Sequence, residues 1–180
     1  PSFTRRHQQR TNFRSCGDYC DGLSFRIACH HLLHPDLDVQ RRGLWIVRDL
    51  AERGHADGMC MYGMCLGEGR AGLDPNPHKA AVWFRLCTEM HSHPQAAYEM
   101  GVALFSGEGV AEDEAAAVRM FRRSANTGHP SAAYMLGDCL LDGVGVARDR
   151  AGAREWLVTA AELGHRGARS RTMAVLEKGE

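Results

Sequence analysis

The feature that most constrains this chain is an internal repeat. Four stretches align: "GHADGMCMYGMCLGEG" from Gly54, "SHPQAAYEMGVALFSGEGV" from Ser92, "GHPSAAYMLGDCLLDGVGV" from Gly128 and "GHRGARSRTMAVLEKG" from Gly164. Their marker histidines, His55, His93, His129 and His165, are 38, 36 and 36 residues apart. Counting from each histidine, position 3 is small (Gly58, Ala96, Ala132, Ala168). Position 8 is Gly63, Gly101 and Gly137, then Met173; position 11 is always leucine (Leu66, Leu104, Leu140, Leu176); position 14 is always glycine (Gly69, Gly107, Gly143, Gly179). A period in this range marks a stack of identical supersecondary units, none of which can bury its apolar face alone.

The second half of each unit repeats too, as Ala80, Trp83, Cys87, Thr88, then Ala117, Met120, Ser124, Ala125, then Ala153, Trp156, Ala160, Ala161, with an upstream half-copy at Gly43, Ile46, Leu50, Ala51. Both halves carry three-and-four spacing, the signature of a helix with one buried face. Pro94 and Pro130 directly follow a marker histidine, at a first helical turn where the missing N–H costs nothing. The spacing predicts helices over 23–34, 37–53, 56–67, 78–90, 94–106, 113–126, 130–141, 149–162 and 166–177, with no strand alternation. The expected fold is all-α: an α-solenoid of helix–loop–helix repeats. Its expected organisation is a basic, irregular segment at 1–22, a helical half-repeat at 23–53, repeats at 54–91, 92–127 and 128–163, and a capping helix at 164–180.

"GEG" at 107–109 and "GVG" at 143–145 look at first like a phosphate cradle. A nucleotide-binding G-x-G follows a strand and opens directly into a helix. Here each follows a helix and leads through a loop to an acid, Asp113 or Asp149, placed to cap the next helix. The first glycine ends a helix in the left-handed conformation and the second reverses the chain. The marker histidines, recurring at one structural position, are read as caps or braces of helix starts.

The stretch "GHPSAAYMLGDCLLDGVGVARDRAGAREWLVTAAELGH", residues 128–165, resembles the Sel1-like repeat, a relative of the tetratricopeptide repeat. Leu140 stands where that family usually has tyrosine, Met120 replaces its tryptophan in the preceding unit, and "GRAGLDPNP" departs from its G-x-G-V. The resemblance covers 54–179. It implies a right-handed superhelix whose concave groove binds proteins or peptides, without intrinsic catalysis.

Composition excludes some partners. With 22 basic and 22 acidic residues the formal net charge is zero, so no global pull toward nucleic acid follows. No run approaches the length of a membrane span. Seven irregularly spaced cysteines point to a reducing compartment, cytosol or organelle interior, rather than to a disulfide scaffold. The first 17 residues carry four arginines and no acid. Three readings stay open for them: a solvated tail, an organelle-targeting remnant, or a docking peptide.

The one cluster with chemical promise is "CGDYCDGLSFRIACHHLLH", residues 16–34. Cys16, Cys20, Cys29, His30 and His34 offer thiolate and imidazole ligands that suit tetrahedral zinc, with His30 and His34 on one helix face. Against zinc, Cys-x3-Cys is loose and no second cysteine pair closes the site; a Cys16–Cys20 disulfide is a further alternative. Cys60, Cys65 and Cys139 fall on first helices and read as buried thiols. No metalloprotease, hydrolase or nucleophile–base motif is present, so no enzyme is expected.

Binding is therefore expected on the first helices. With positions 3, 7, 8 and 11 turned to the core, positions 5, 6, 9 and 12 turn away. This face offers Tyr98, Glu99, Val102, Phe105, Tyr134 and Asp138 as groove residues. The tyrosines are suited to interfaces, and the two acids give the groove a negative bias. The expected role is a scaffold for a protein or peptide partner, or a structural subunit of a multi-subunit complex. The alternative is a metal-binding or redox-linked assembly factor working through residues 16–34.

Overall fold

The computed structural model describes the backbone of residues 14–177 and the side chains of 21–173. Among the described residues there are nine α-helices and no strand. They are α1 (Arg14–Leu32), α2 (Leu37–Glu52), α3 (Ala56–Glu68), α4 (Pro77–Met90), α5 (Pro94–Ser106), α6 (Glu114–Ala125), α7 (Pro130–Asp142), α8 (Arg150–Glu162) and α9 (Ala168–Glu177), with one 3-10 turn at Arg70–Gly72. Each helix packs chiefly on the helices before and after it in the chain. The α3–α4, α5–α6 and α7–α8 hairpins are the three repeats, stacked in sequence order into the expected solenoid.

Hairpin closure follows from three residues per unit. Gly69, Gly107 and Gly143 end the first helices with φ of 70°, 73° and 79°, the left-handed C-cap. Asn76, Asp113 and Asp149 start the second helices, their side chains accepting from the N–H groups of Lys79, Ala116 and Gly152. The backbone N–H of each of these caps donates back to the position-11 leucine carbonyl, on Leu66, Leu104 or Leu140, at 2.7–2.9 Å. The loop is thus closed from both ends.

Packing inside a hairpin turns on position 8. A Cβ at Gly63, Gly101 or Gly137 would lie 2.6–2.8 Å from the ring of Phe84, the ring of Phe121 or the side chain of Leu157. Phe121 and Leu157 are fully buried. The sequence signature pointed one residue away, to Trp83, Met120 and Trp156, which are half-buried at the flank of the core. The second G-x-G glycine joins one repeat to the previous one. A Cβ on Gly109 would meet the Pro77 carbonyl carbon at 2.3 Å, and one on Gly145 the Glu114 carbonyl oxygen at 2.4 Å.

Three boundaries differ from expectation. The segment expected to be irregular through residue 22 is helical from Arg14; Asp21 pairs with Arg53, and the Phe25 ring stacks on His55 at 5.9 Å, so tertiary contacts hold this helix on the array. Residues 1–13 lie outside the described residues. Helix α1 ends at Leu32, leaving His34 in the turn. Helix α9 starts at Ala168, whose N–H donates to the His165 carbonyl at 3.2 Å. His165 therefore caps nothing, and its Nδ1 is buried without a partner.

Candidate functional site

The marker histidines build the joints between repeats. Nδ1 of His55, His93 and His129 accepts from the backbone N–H of Gly58, Ala96 and Ala132, each at 3.2 Å. With Nδ1 accepting, the neutral ring carries its proton on Nε2. That nitrogen donates one repeat back: His93 to Asp57 Oδ1 at 3.0 Å, His129 to Gln95 Oε1 at 2.8 Å. Gln95 Nε2 in turn donates to Glu99 Oε1 at 2.6 Å. His93 and His129 thus each start their own helix and are tied to the first helix of the preceding repeat.

Tyr98 and Tyr134 belong to these joints. Tyr98 stacks on His129 with ring centroids 4.8 Å apart, and Tyr134 stacks on His165 at 4.4 Å. Both tyrosines are half-buried against the core, and burial pushes their phenols up. Phe105 packs on Phe121 at 6.3 Å, and Val102 also leans on the core. Cys60, which shares position 5 with the two tyrosines, is buried outright. So are position 4 (Met59, Ala97, Ala133) and, in the first and third repeats, position 10 (Cys65, Cys139). The buried stripe is wider than one face because a first helix in a stack has neighbours on both sides.

The two acids of the predicted face have different surroundings. Asp138 accepts from Arg171 Nε at 2.7 Å, and Asp142 lies 3.5 Å from the same guanidinium; the capping helix α9 thus lays its own arginine over the last repeat. Glu99 has Gln95 as its hydrogen-bond partner and no cation among the described residues. Burial, offset in part by the Gln95 bond, raises its carboxyl above the ordinary value, with Glu68 adding to the rise. Glu99 and Val102 line a pocket of about 180 Å³ between α3, α4 and α5, with Met64, Phe84, Glu68 and Glu108 among its other walls.

The predicted zinc ligands are not brought together where they are described. His30 is exposed, Cys29 is half-buried with its thiol pushed up by burial, and His34 Nδ1 already accepts from the Asp36 N–H at 3.0 Å. The side chains of Cys16 and Cys20 lie outside the described residues. Among those described, no three His, Cys, Asp or Glu side chains stand at metal-binding separation. Cys60, Cys65, Cys87 and Cys139 are buried free thiols; burial pushes the last three up to about 11 and Cys60 further.

Sequence reasoning missed an outer apolar set. Trp45 is 69% exposed, and Val82, Leu86 and Met90 are exposed along α4. Trp45 and Val82 occupy equivalent positions of successive second helices, a signal that was present once the half-copy at Gly43 was aligned with Ala80. No described helix is long and apolar enough to cross a membrane.

The Sel1 repeat family matches at residues 56–88, 94–129 and 130–165. Among solved structures, a Sel1 repeat protein from Oxalobacter formigenes is 32% identical, covering 74% of this chain and 98% of its own, with a TM-score of 0.66. The protective antigen c5321 of uropathogenic Escherichia coli, which displays an SLR fold, aligns over 94% of this chain and 37% of its own at 24% identity and a TM-score of 0.80. The Helicobacter pylori cysteine-rich protein B is 15% identical over 72% of this chain and 92% of its own, with a TM-score of 0.57. Comparison with curated proteins gave no match.

Proposed function

Because this chain belongs to the Sel1 repeat family, whose members generally mediate protein–protein interaction as non-enzymatic scaffolds, we propose that it is a non-catalytic adaptor that holds a protein or peptide partner across α3, α5 and α7. The observation that carries this reading is the first-helix face itself. Positions 6, 9 and 12 keep half-exposed apolar side chains beside acids in consecutive repeats, namely Met61, Met64, Val102, Phe105, Met135 and Leu141 with Glu99 and Asp138. Such a face offers apolar contact area with polar groups to fix register, and the rigid stack fixes its geometry in advance. Membership of a multi-subunit complex is compatible with this role and is part of the same proposal.

The outer set of Trp45, Val82, Leu86 and Met90 favours a second reading, in which the partner sits on the second helices. Exposed tryptophan is a frequent anchor of interfaces. The two readings part on one experiment, affinity capture with the full chain as bait. A Val102→Lys/Met135→Lys variant is compared with a Trp45→Ser/Leu86→Ser variant, both of unchanged helicity and melting temperature. Loss of the captured partner with the first pair alone supports the first-helix face. Loss with the second pair alone moves the partner to the outer surface and contradicts the proposal.

A further inference from the structure

Arg171 shows how this array fills the slot between successive first helices. It stands at position 6 of its unit and reaches position 9 (Asp138) and position 13 (Asp142) of the unit before it. The equivalent slot between α3 and α5 is built from Glu99 at position 6, with Met64 and Glu68 at positions 9 and 13 of the preceding unit. These three side chains line the 180 Å³ pocket. Only the position-13 carboxylate is kept: position 9 is apolar, and a second carboxylate, Glu99, stands where the other slot has its cation. The slot between α5 and α7 has Met135, Val102 and Ser106 at the same places and holds no charge.

The pocket has the chemistry of a receptor for a long cationic side chain. Met64, Phe84 and Val102 give apolar walls, and Glu68, Glu99 and Glu108 give carboxylates around the opening. Glu68 is already met by Arg70 from the solvent side. Glu99 and Glu108 have no basic partner among the described residues. Glu99 is the more buried of the two and uses one oxygen on Gln95, so the other is left for a ligand. A guanidinium suits this geometry better than an ammonium, because its planar fork can address two carboxylates while its methylenes lie on the apolar wall.

We propose that the pocket between α3, α4 and α5 is the specificity pocket of the interaction face, and that it takes an arginine side chain from the partner peptide. The proposal rests on the scaffold reading above and names the chemistry of the partner. Glu99 fixes the guanidinium, and the apolar wall carries its stem. The slot next to it, lined by Val102 and Met135, takes an uncharged residue of the same segment.

The test is selection of a displayed library of random 12-residue peptides on the full chain, followed by titration of the enriched peptides. The expected result is a recurrent arginine. Binding should weaken by about tenfold when that arginine becomes citrulline or Glu99 becomes Gln. Glu99→Gln keeps an acceptor for Gln95, and its melting temperature reports that the fold is intact. Peptides without a recurrent arginine that bind Glu99→Gln equally well overturn the pocket assignment and leave the scaffold reading standing. Failure to enrich any peptide contradicts the scaffold reading and the pocket together. Self-association of the chain that Glu99→Gln abolishes reassigns the pocket to a second copy and overturns the peptide proposal.

Discussion

At the scale of the residue, two kinds of position carry this structure, glycines that admit a neighbour and histidines that hold one. Gly145 has φ of 63° and no room for a Cβ against the Glu114 carbonyl, whereas Gly128 has φ of 86° and nothing within 4 Å. Urea unfolding therefore separates them: Gly128→Ala should cost about 1 kcal/mol for left-handed backbone alone, and Gly145→Ala about 2 kcal/mol more for the enforced shift. His129 has its pKa lowered from 6.5, first by burial and then by the nearby His93. Between that folded value and 6.5 the unfolded chain binds more protons than the folded one, so stability falls as pH drops through this window. Protonation also places a hydrogen on Nδ1, which ends the cap on Ala132. Glu99, with its raised carboxyl, works in the opposite sense at lower pH. Comparison of unfolding midpoints at pH 7.5 and 5.5 with those of His129→Asn therefore isolates the imidazole: wild type should lose stability on acidification and the variant less.

At the scale of the element, the hairpin is the unit, and one side chain of its second helix packs directly onto the position-8 glycine of the first. Leu157→Ala should cost about 2–5 kcal/mol, since it empties a fully buried site facing Gly137. Trp156→Ala, next to it and half-buried, should cost clearly less. Equal losses in calorimetry would contradict this packing. The helices, their order and their caps were legible in the sequence because glycine, proline and aspartate punctuate at fixed offsets. The neighbouring tryptophan hid the buried leucine, because a family signature marks recurrence and burial need not follow it. The start of α1 and the late start of α9 were not legible either. The first depends on contacts from outside the segment, Asp21 with Arg53 and Phe25 with His55; in the second, His165 stacks on Tyr134 and its Nδ1 makes no cap bond.

At the scale of the whole molecule, the array is a line of joints, in which His93 and His129 are bonded one repeat back and His55 and His165 stack on a ring of the preceding unit, with a face laid across those joints. The candidate residues were legible as a set, since periodicity assigns all six to one side of the first helices. Their individual surroundings were not, because they are decided between repeats: Tyr98 and Tyr134 brace histidines of the following unit, Asp138 is covered by Arg171, and Glu99 is left without a cation. Burial of the four core thiols gives a global check. Cys60, Cys65, Cys87 and Cys139 should stay unlabelled by a thiol reagent until the array unfolds, and should then react together if the stack is cooperative. A bound partner must sit on one of the two faces, the first helices or the second. Hydrogen–deuterium exchange of the full chain, with and without a peptide enriched on it, reads this by segment. The predicted result is new protection in α3, α5 and α7, strongest around Glu99 and Val102. Protection confined to α2 and α4, around Trp45 and Leu86, with α5 unchanged would contradict it.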